Sequence, residues 1–436
     1  MRQRGTDAYV PGHGDASYAV ENYDLTLDYR VASNRLDGDA TLRCRAQEPV
    51  DRIELDLHAL RPAKAYVDGA VAKHSHRGDR LAITLGRMVP EGQTFEVRVR
   101  YSGTPKQVRS RTLGEAGWEE LEDGVIVAAQ PHGSPSWFPC NDRPDNKATY
   151  TIALSVPQGY HVAVAGELVR RRSSSSAVTW TWEQDTPMAT YLATVQIGRY
   201  VEIEQDGAPV PVRVVAPAER PEEGFEAAFG RQPEMLTFFA GLFGDYPFSS
   251  YTAVITDDDL EIPLESQGLS TFGRNFMDDD WESIRLVAHE LSHQWWGNSV
   301  TLTQWRDIWL HEGFACYAEW LWSEEIGLKP AAERAEDHHE RVRTDPGPEL
   351  LLGDPGPELM FDDRVYKRGA LTLHALRTTV GDKPFFEVLR TWSEAQRFAN
   401  VTTAMFVEHA EQVTGEDLGA FFEAWLYETD LPSLPD

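Results

Sequence analysis

Cysteine, cationic residues and long apolar runs are all scarce in this chain. Its three cysteines are too few, and odd in number, so they do not form a disulfide framework, and such low cysteine usage suits a reducing compartment. No run of eighteen apolar residues occurs, and no apolar core follows the charged amino terminus. These absences predict a cytoplasmic protein without a membrane span. A chain whose signal peptide had been removed would look the same.

The scarcity of positive charge restricts the partners. The 436 residues include 41 Lys and Arg against 70 Asp and Glu, a formal net charge of -29. Such a chain repels polyanions, which argues against nucleic acid or an anionic membrane as a partner and favours neutral or cationic ligands. The length allows two or three domains, each with its own core. None of these features indicates an oligomeric state.

Hydrophobic periodicity divides the chain into two parts. Short runs with period-two alternation, such as Tyr23–Arg30 and Phe95–Tyr101, predict an antiparallel β domain over residues 1–204. Apolar residues at spacings of three and four then predict a mainly α domain over residues 205–436, so the expected fold class is β + α. The predicted helical segments lie at about 225–243, 280–296, 311–326, 364–380, 383–397, 402–413 and 416–427.

The most specific motif is His289-Glu290-Leu291-Ser292-His293, followed by Glu312. Two histidines four residues apart lie on one face of a helix, so both imidazoles can reach one ion, and the intervening glutamate projects beside them as a base. Glu312 lies on a second helical pattern and completes a set of two histidines and one carboxylate. Such a set leaves the fourth position of a tetrahedral zinc open for water, so we expect one catalytic Zn²⁺ per chain.

A chance match on a surface helix is the alternative explanation for this motif. The flanking residues argue against it, because an apolar stripe lies opposite the two histidines and indicates a helix buried from both sides. Asp279 and Glu282 resemble a capping box at the start of this helix, and Gly297 marks its end. The stripe consists of Ile284, Val287, Leu291 and Trp295.

Further motifs resemble those of the aminopeptidase N family of zinc metallopeptidases, the gluzincins, which also includes the leukotriene hydrolases. The resemblance covers nearly the whole chain and implies a saddle-shaped N-terminal β domain followed by a thermolysin-like catalytic domain. It stops near Phe422–Tyr427, which implies a compact form without the C-terminal helical domain of many relatives. The matching segments, beyond the metal motif, are Phe243–Phe248, Gln294–Asn298, Trp309–Ala315 and Val365–Ala370.

The resemblance assigns roles to residues of the reaction centre. His289, His293 and Glu312 match the family's zinc ligands. Glu290 matches the general base that takes a proton from the metal-bound water, and Tyr366 matches the tyrosine that hydrogen-bonds the tetrahedral oxyanion.

Two more residues match the family's site for the substrate's α-ammonium. Glu265 stands where the family has a Gly-x-Met-Glu-Asn signature, of which this chain keeps only the glutamate, and Gln130 matches a residue that shares its task. A buried carboxylate beside an acceptor amide is costly to leave unpaired, and the α-ammonium of a chain terminus supplies both the charge and three donors.

Two nearby positions allow alternative interpretations. His311 replaces the asparagine that usually precedes the third ligand, and it is either an extra polar group near the site or a residue that starts a helix. Glu319 lies seven residues after Glu312 on the same helical face. It is either an acceptor for a ligand histidine or a surface carboxylate.

The resemblance implies a zinc-dependent aminopeptidase that releases residues from peptides with a free amino terminus. An epoxide hydrolase of the leukotriene type uses the same zinc site, but the acidic composition argues against a fatty-acid anion as substrate. A non-catalytic scaffold would have no physical reason to retain both Glu290 and Tyr366, and a thermolysin-like endopeptidase would not need Glu265.

Overall fold

The computed structural model describes residues 7–345 and 347–435, so residues 1–6 of the first predicted domain and residues 346 and 436 of the second lie outside it. The described part up to residue 198 is built from strands. In chain order they are β1 (Tyr18–Arg30), β2 (Arg35–Ala46), β3 (Val50–Asp56), β4 (Arg61–Val67), β5 (Ala70–Ala72), β6 (His74–Arg77), β7 (Arg80–Val89), β8 (Thr94–Gly103), β9 (Val108–Ser110), β10 (Gly114–Leu121), β11 (Gly124–Ala128), β12 (Ala148–Pro157), β13 (His161–Val164), β14 (Glu167–Ser173), β15 (Ala177–Met188) and β16 (Val195–Gly198).

Three sheets arise from these strands. The largest has the order β14-β15-β12-β1-β2-β8-β4-β5, and the others are β13-β16-β11-β10-β9 and β3-β7-β6. Alternate residues of β1, including Tyr23, Leu25 and Leu27, are buried, as period-two alternation predicts. The expectation of a purely antiparallel domain is wrong at one pair, because β1 and β12 run parallel. The long connection through β2 to β11 supplies the crossover that a parallel pair requires.

The rest of the chain combines a smaller sheet with helices. The sheet has the order β17-β18-β19-β21-β20, and a two-stranded β22-β23 ladder lies apart from it. Its strands are β17 (Tyr200–Gln205), β18 (Val212–Pro217), β19 (Tyr251–Ile255), β20 (Leu264–Ser266) and β21 (Leu269–Phe272), and the ladder is β22 (Thr301–Leu302) with β23 (Asn400–Val401). The helices are α1 (Glu222–Phe229), α2 (Gln232–Phe243), α3 (Trp281–Ser292), α4 (Trp309–Glu325), α5 (Ala331–Thr344), α6 (Asp363–Val380), α7 (Asp382–Ala395), α8 (Thr403–Thr414) and α9 (Gly419–Phe422).

This architecture confirms the predicted β + α fold class, and several boundaries differ. The predicted domain boundary after residue 204 falls inside β17, which pairs with β18 of the second sheet. The segment predicted at 225–243 is two helices, because Pro233 cannot donate a backbone hydrogen bond and therefore begins a new helix. Helix α5 buries only Ala331 and Ala335, so apolar periodicity did not indicate it. None of the described helices is both long and apolar enough to span a membrane.

Helix α3, which carries the first metal-ligand candidate, also differs from its predicted bounds. Its N-cap is Asp280, whose carboxylate accepts from the Ser283 N–H at 2.8 Å, so the predicted cap at Asp279 is wrong. The helix ends at Ser292, four residues earlier than expected, and hydrogen-bonded turns follow. These turns bury both Trp295 and Trp296, which a continuing helix would not direct into one core.

Helices α4 and α6 approach each other closely at a pair of glycines. A Cβ on Gly313 would lie 2.7 Å from the Gly369 Cα, and a Cβ on Gly369 would lie 2.6 Å from the Gly313 Cα. Gly313 directly follows Glu312, and Gly369 lies one turn after Tyr366 on α6. The glycine pair therefore sets the distance between the helix of the carboxylate ligand candidate and the helix of the tyrosine.

We expect Gly369→Ala to destabilise the protein by about 1–3 kcal/mol, because the added methyl overpacks a backbone contact. It should also lower catalytic activity by separating α4 from α6. Gly241→Ala is the matched control, since Gly241 is exposed within α2 and its Cβ would meet nothing within 4 Å. The control should gain stability by about 0.4–1 kcal/mol. Chemical denaturation of both variants tests this, and equal stabilities would refute the close-packing argument.

Candidate active site

Two helices and one turn bring the predicted metal ligands together. His289 lies in the last turn of α3, His293 directly follows α3, and Glu312 lies in the first turn of α4. The Glu312 Oε2 is 3.4 Å from the Nε2 atoms of both His289 and His293. All three side chains are buried, with at most 6% exposure.

Hydrogen bonds at the far side of each imidazole orient its free nitrogen. The His289 Nδ1 lies 2.8 Å from the Glu319 Oε1, and the His293 Nδ1 lies 2.8 Å from the Trp296 carbonyl oxygen. Both partners are acceptors, so each Nδ1 keeps a proton and leaves Nε2 as the nitrogen that would bind a metal ion. The two rings are therefore oriented as a metal ion needs.

Glu319 is a buried acceptor and not a surface carboxylate, so the second interpretation of this residue is wrong. It is 2% exposed, and it accepts from Arg285 at 3.3 Å in addition to His289. Burial alone would raise the pKa of Glu319, but Lys367, His289 and Arg285 outweigh burial and lower it to about 2. Lys367 is itself buried and donates to the Cys316 Sγ at 3.3 Å. The carboxylate behind His289 is thus held in its charged form.

The donor set fits a tetrahedral divalent cation. Ligand bonds of 2.0–2.1 Å place neighbouring ligand atoms of a tetrahedron about 3.3 Å apart, close to the two separations from Glu312. The electrostatics also demand positive charge. Burial alone would lower the pKa of His293, but Glu265 and Glu312 outweigh it and raise this pKa to about 10. Burial opposes ionisation of Glu312, but His293 and His289 hold its pKa well below the usual range.

Glu290 lies beside this set without joining it. It is 4% exposed, and its Oε2 has no hydrogen-bond partner among the described residues. Burial raises the pKa of Glu290 to about 8, and the two imidazoles only partly offset this. Ligand atoms of Glu265, Glu290 and His293 lie within 4.8 Å of one another. A buried carboxylate with a raised pKa and an unsatisfied oxygen can serve as a proton acceptor beside the metal-ligand candidates.

The structure also brings Glu265 and Gln130 together from separate domains. Glu265 lies on β20 and is 3% exposed, and Gln130 follows β11. The Gln130 Nε2 donates to the Glu265 Oε1 at 2.7 Å. Burial raises the pKa of Glu265, and the nearby Glu312 adds to this effect. The pair thus brings a carboxylate and an amide together next to the metal-ligand candidates.

Tyr366 packs against His289, the first metal-ligand candidate. It is half-buried on α6, and its ring stacks on the His289 ring with centroids 5.9 Å apart. Burial and the charge of Glu312 raise its pKa well above the usual range, so the hydroxyl stays protonated and can donate.

His311 ties α4 to β22. It is fully buried, and the Leu302 N–H donates to its Nε2 at 2.9 Å. Burial lowers the pKa of His311 to about 3, so the ring is neutral. A Cβ on Gly297 would lie 3.4 Å from both the His311 ring and the His293 Nδ1, so His311 packs beside the second ligand. It is a buried structural acceptor as well as a residue of the first turn of α4.

Sequence reasoning assigned no role to Gln294 and Asn298, which the structure places between α3 and the hairpin that carries Glu265. Both residues lie in the Gln294–Asn298 segment, which resembles the family but did not indicate a role for either side chain. Two amide side chains soon after a metal-ligand motif were the only sequence feature that could have indicated a role. Their partners, Ser266 and Gly268, lie more than 25 residues away in the chain.

We expect purified protein to bind one divalent ion per chain, with His293→Ala losing the ion and the activity. His409→Ala is the control, because His409 is half-buried against Thr391 and Val388 and contacts no member of the site. Metal analysis of both variants, after dialysis to remove unbound Zn²⁺, measures the metal content per chain. Full metal content in His293→Ala would remove this residue from the ligand set.

Comparisons with known proteins agree with this geometry. The family model described as "Peptidase M1 N-terminal domain" matches residues 19–192, and that described as "Peptidase family M1 domain" matches residues 227–425. A leucyl aminopeptidase of Saccharolobus solfataricus is 24% identical over 95% of this chain and 54% of its own length. Aminopeptidase N of Lactococcus lactis is 24% identical over 95% and 52%. The chain thus spans about half the length of these curated relatives.

Solved structures match over the full length. An M1 zinc metallopeptidase variant from Deinococcus radiodurans, bound to a Tyr-Ser-Ala substrate, superposes with a TM-score of 0.91 at 30% identity. The match covers 99% of both chains. A two-domain M1 zinc metallopeptidase variant bound to L-arginine gives the same values. The resemblance predicted from the motifs is therefore confirmed, and the chain belongs to peptidase family M1.

Proposed function

We propose that this chain is a zinc-dependent aminopeptidase that cleaves the first peptide bond of substrates with a free amino terminus. The observation that carries the proposal is the buried Glu265–Gln130 pair beside the three metal-ligand candidates. Glu265 has a carboxylate oxygen within 4.8 Å of a ring nitrogen of His293, so an ammonium bound there would lie close to the metal-ligand candidates. The names of the curated relatives, and the amino acid and tripeptide bound in the solved structures, support it.

His289, His293 and Glu312 would hold the zinc ion. When bound, zinc polarises the scissile carbonyl and lowers the pKa of a coordinated water. The Glu319 carboxylate and the Trp296 carbonyl hold the two imidazoles in the tautomer that exposes Nε2.

Glu290 is the proposed general base. Its unpartnered Oε2 takes a proton from the attacking water and delivers it to the leaving amine, which becomes a good leaving group only when protonated. The low exposure of this residue keeps bulk water from competing for the proton.

Tyr366 is the proposed donor to the oxyanion that develops on the scissile carbonyl. The hydroxyl is protonated at neutral pH, and the ring is held beside His289 on the rigid helix α6. A donor aimed at developing charge in a dry site contributes more to the transition state than to the ground state.

Glu265 and Gln130 would bind the α-ammonium. The amide of Gln130 orients the carboxylate through Nε2, which leaves its own carbonyl oxygen and the second Glu265 oxygen for the substrate. An acetylated or internal nitrogen supplies neither the charge nor the donors. The same carboxylate cluster repels a fatty-acid anion, which disfavours the epoxide hydrolase alternative.

Glu290→Gln should retain zinc while slowing turnover by roughly a hundredfold or more, because positioned acid–base catalysis contributes about that much. Single-turnover kinetics with a fluorogenic aminoacyl substrate measure the chemical step, and metal analysis checks the site. Wild-type turnover in this variant would assign the base to another residue.

Glu265→Ala should lower kcat/KM for free-amine peptides by two orders of magnitude or more, because removing one partner of a buried, hydrogen-bonded charge pair costs about 3–5 kcal/mol. The matched N-acetylated peptides are the internal control, since they should be poor substrates for the wild type and unaffected by the change. Equal cleavage of free and acetylated peptides by the wild type would contradict the exopeptidase assignment and favour an endopeptidase.

A further inference from the structure

The strand that carries Glu265 has little support of its own. Strand β20 has three residues, lies at the edge of its sheet, and pairs only with β21. The preceding loop is open to solvent, with Ile262 67% exposed. An edge strand of this length does not hold a carboxylate at a defined place, so other contacts must do so.

Two amide side chains from the turn after α3 supply those contacts. The Gln294 Oε1 accepts from the Gly268 N–H at 2.8 Å, and its Nε2 donates to the Ser266 carbonyl at 3.2 Å. The Asn298 Nδ2 donates to the same Ser266 carbonyl at 3.0 Å. One amide therefore holds both sides of the β20–β21 turn, directly after Glu265.

The chemistry at position 294 is specific. Gln294 is fully buried, so an apolar side chain there would leave the Gly268 N–H without its acceptor and weaken the support of the Ser266 carbonyl. Only an amide combines an acceptor with two donors at this reach. The need for Gln294 follows from the backbone that it supports.

The turn that carries these amides also belongs to the metal site. Gln294 directly follows His293, whose Nδ1 is fixed by the Trp296 carbonyl of the same turn. The N-terminal domain anchors this turn through the Lys147 Nζ, which donates to the Ser299 carbonyl at 2.8 Å. A displacement of the turn would therefore move the second ligand and the Glu265 hairpin together.

We infer that Gln294, assisted by Asn298, is a positioning residue that sets the separation between the ammonium site at Glu265 and the metal ligands. The inference rests on the proposed aminopeptidase function. This separation selects the first peptide bond, because the bound ammonium and the scissile carbonyl are a fixed number of bonds apart. Gln294 acts through the backbone of Ser266 and Gly268, and its Nε2 also lies 3.5 Å from the Glu290 carbonyl oxygen in α3.

Gln294→Met tests the inference, with Gln232→Met as the matched control. Gln232 is an equally buried glutamine whose amide donates to Gln205, away from the site. Each substitution replaces one buried amide side chain with an apolar side chain of similar volume. Comparison of the two separates a general loss of stability from a loss of positioning.

We expect Gln294→Met to bind one zinc and to lose about tenfold to a hundredfold in kcat/KM for free-amine peptides, mainly through KM, since a displacement of about 1 Å can cost up to a hundredfold. Cleavage of the matched deaminated peptide should be unchanged, and Gln232→Met should behave as the wild type on both. If Gln294→Met does not fold, Gln294→Glu replaces it in the test. This variant keeps the acceptor for the Gly268 N–H and loses the donor to Ser266, so its kcat/KM should lie between those expected of the wild type and of Gln294→Met.

A double-mutant cycle with Glu265→Gln gives the sharper readout. If Gln294 acts through Glu265, the double variant should be no slower than Glu265→Gln alone. Additive losses, or equal losses on free-amine and deaminated peptides, would overturn the inference. A crystal structure of zinc-loaded Gln294→Met with an unmoved β20–β21 hairpin would also overturn it, whatever the wild type cleaves. Equal cleavage of free and blocked peptides by the wild type would instead refute the proposed function.

Discussion

Four carboxylates buried beside two imidazoles are the constraint on which the catalytic half of this molecule depends. Glu265, Glu290, Glu312 and Glu319 are each at most 4% exposed, and a buried carboxylate is costly unless it is paired. Arg285 and Lys367 compensate Glu319 from behind. The other three carboxylates lie close to His293, and we propose that a divalent cation and a substrate ammonium balance their charge. The same charge imbalance therefore accounts for both the metal and the specificity that we propose.

The two domains meet at the loop that follows α3, and this junction explains why the site needs both of them. Lys147 and Tyr191 of the N-terminal domain donate to carbonyls of residues 297–299, while Gln130 donates to Glu265. The side-chain amides of Gln294 and Asn298 bind this loop to the hairpin that carries Glu265. These hydrogen bonds consequently link the turn after His293, a candidate metal ligand, to Glu265, the proposed ammonium acceptor.

Local spacing allowed the metal-ligand candidates to be predicted, because His289 and His293 are brought together by a single helical turn. Where the helix ends was not predictable in this way. The burial of Trp295 and Trp296 in one core bends the chain after Ser292, and that core forms only when distant helices pack. Glu319 shows the same limit. Its position on the helical face was evident, but its burial depends on α3 and α6 lying against α4.

The sequence by itself determined the class of chemistry and the order of a β part followed by an α part, since both follow from short-range periodicity and from motif spacing. Tertiary structure decided how side chains that are distant in the chain meet at the site. The Gln130–Glu265 pair spans 135 residues, and the link from Gln294 to Gly268 joins a turn to a strand edge. Such contacts depend on how the sheets and helices pack, and the packing energy is spread over the whole core, so no local pattern of residues encodes them.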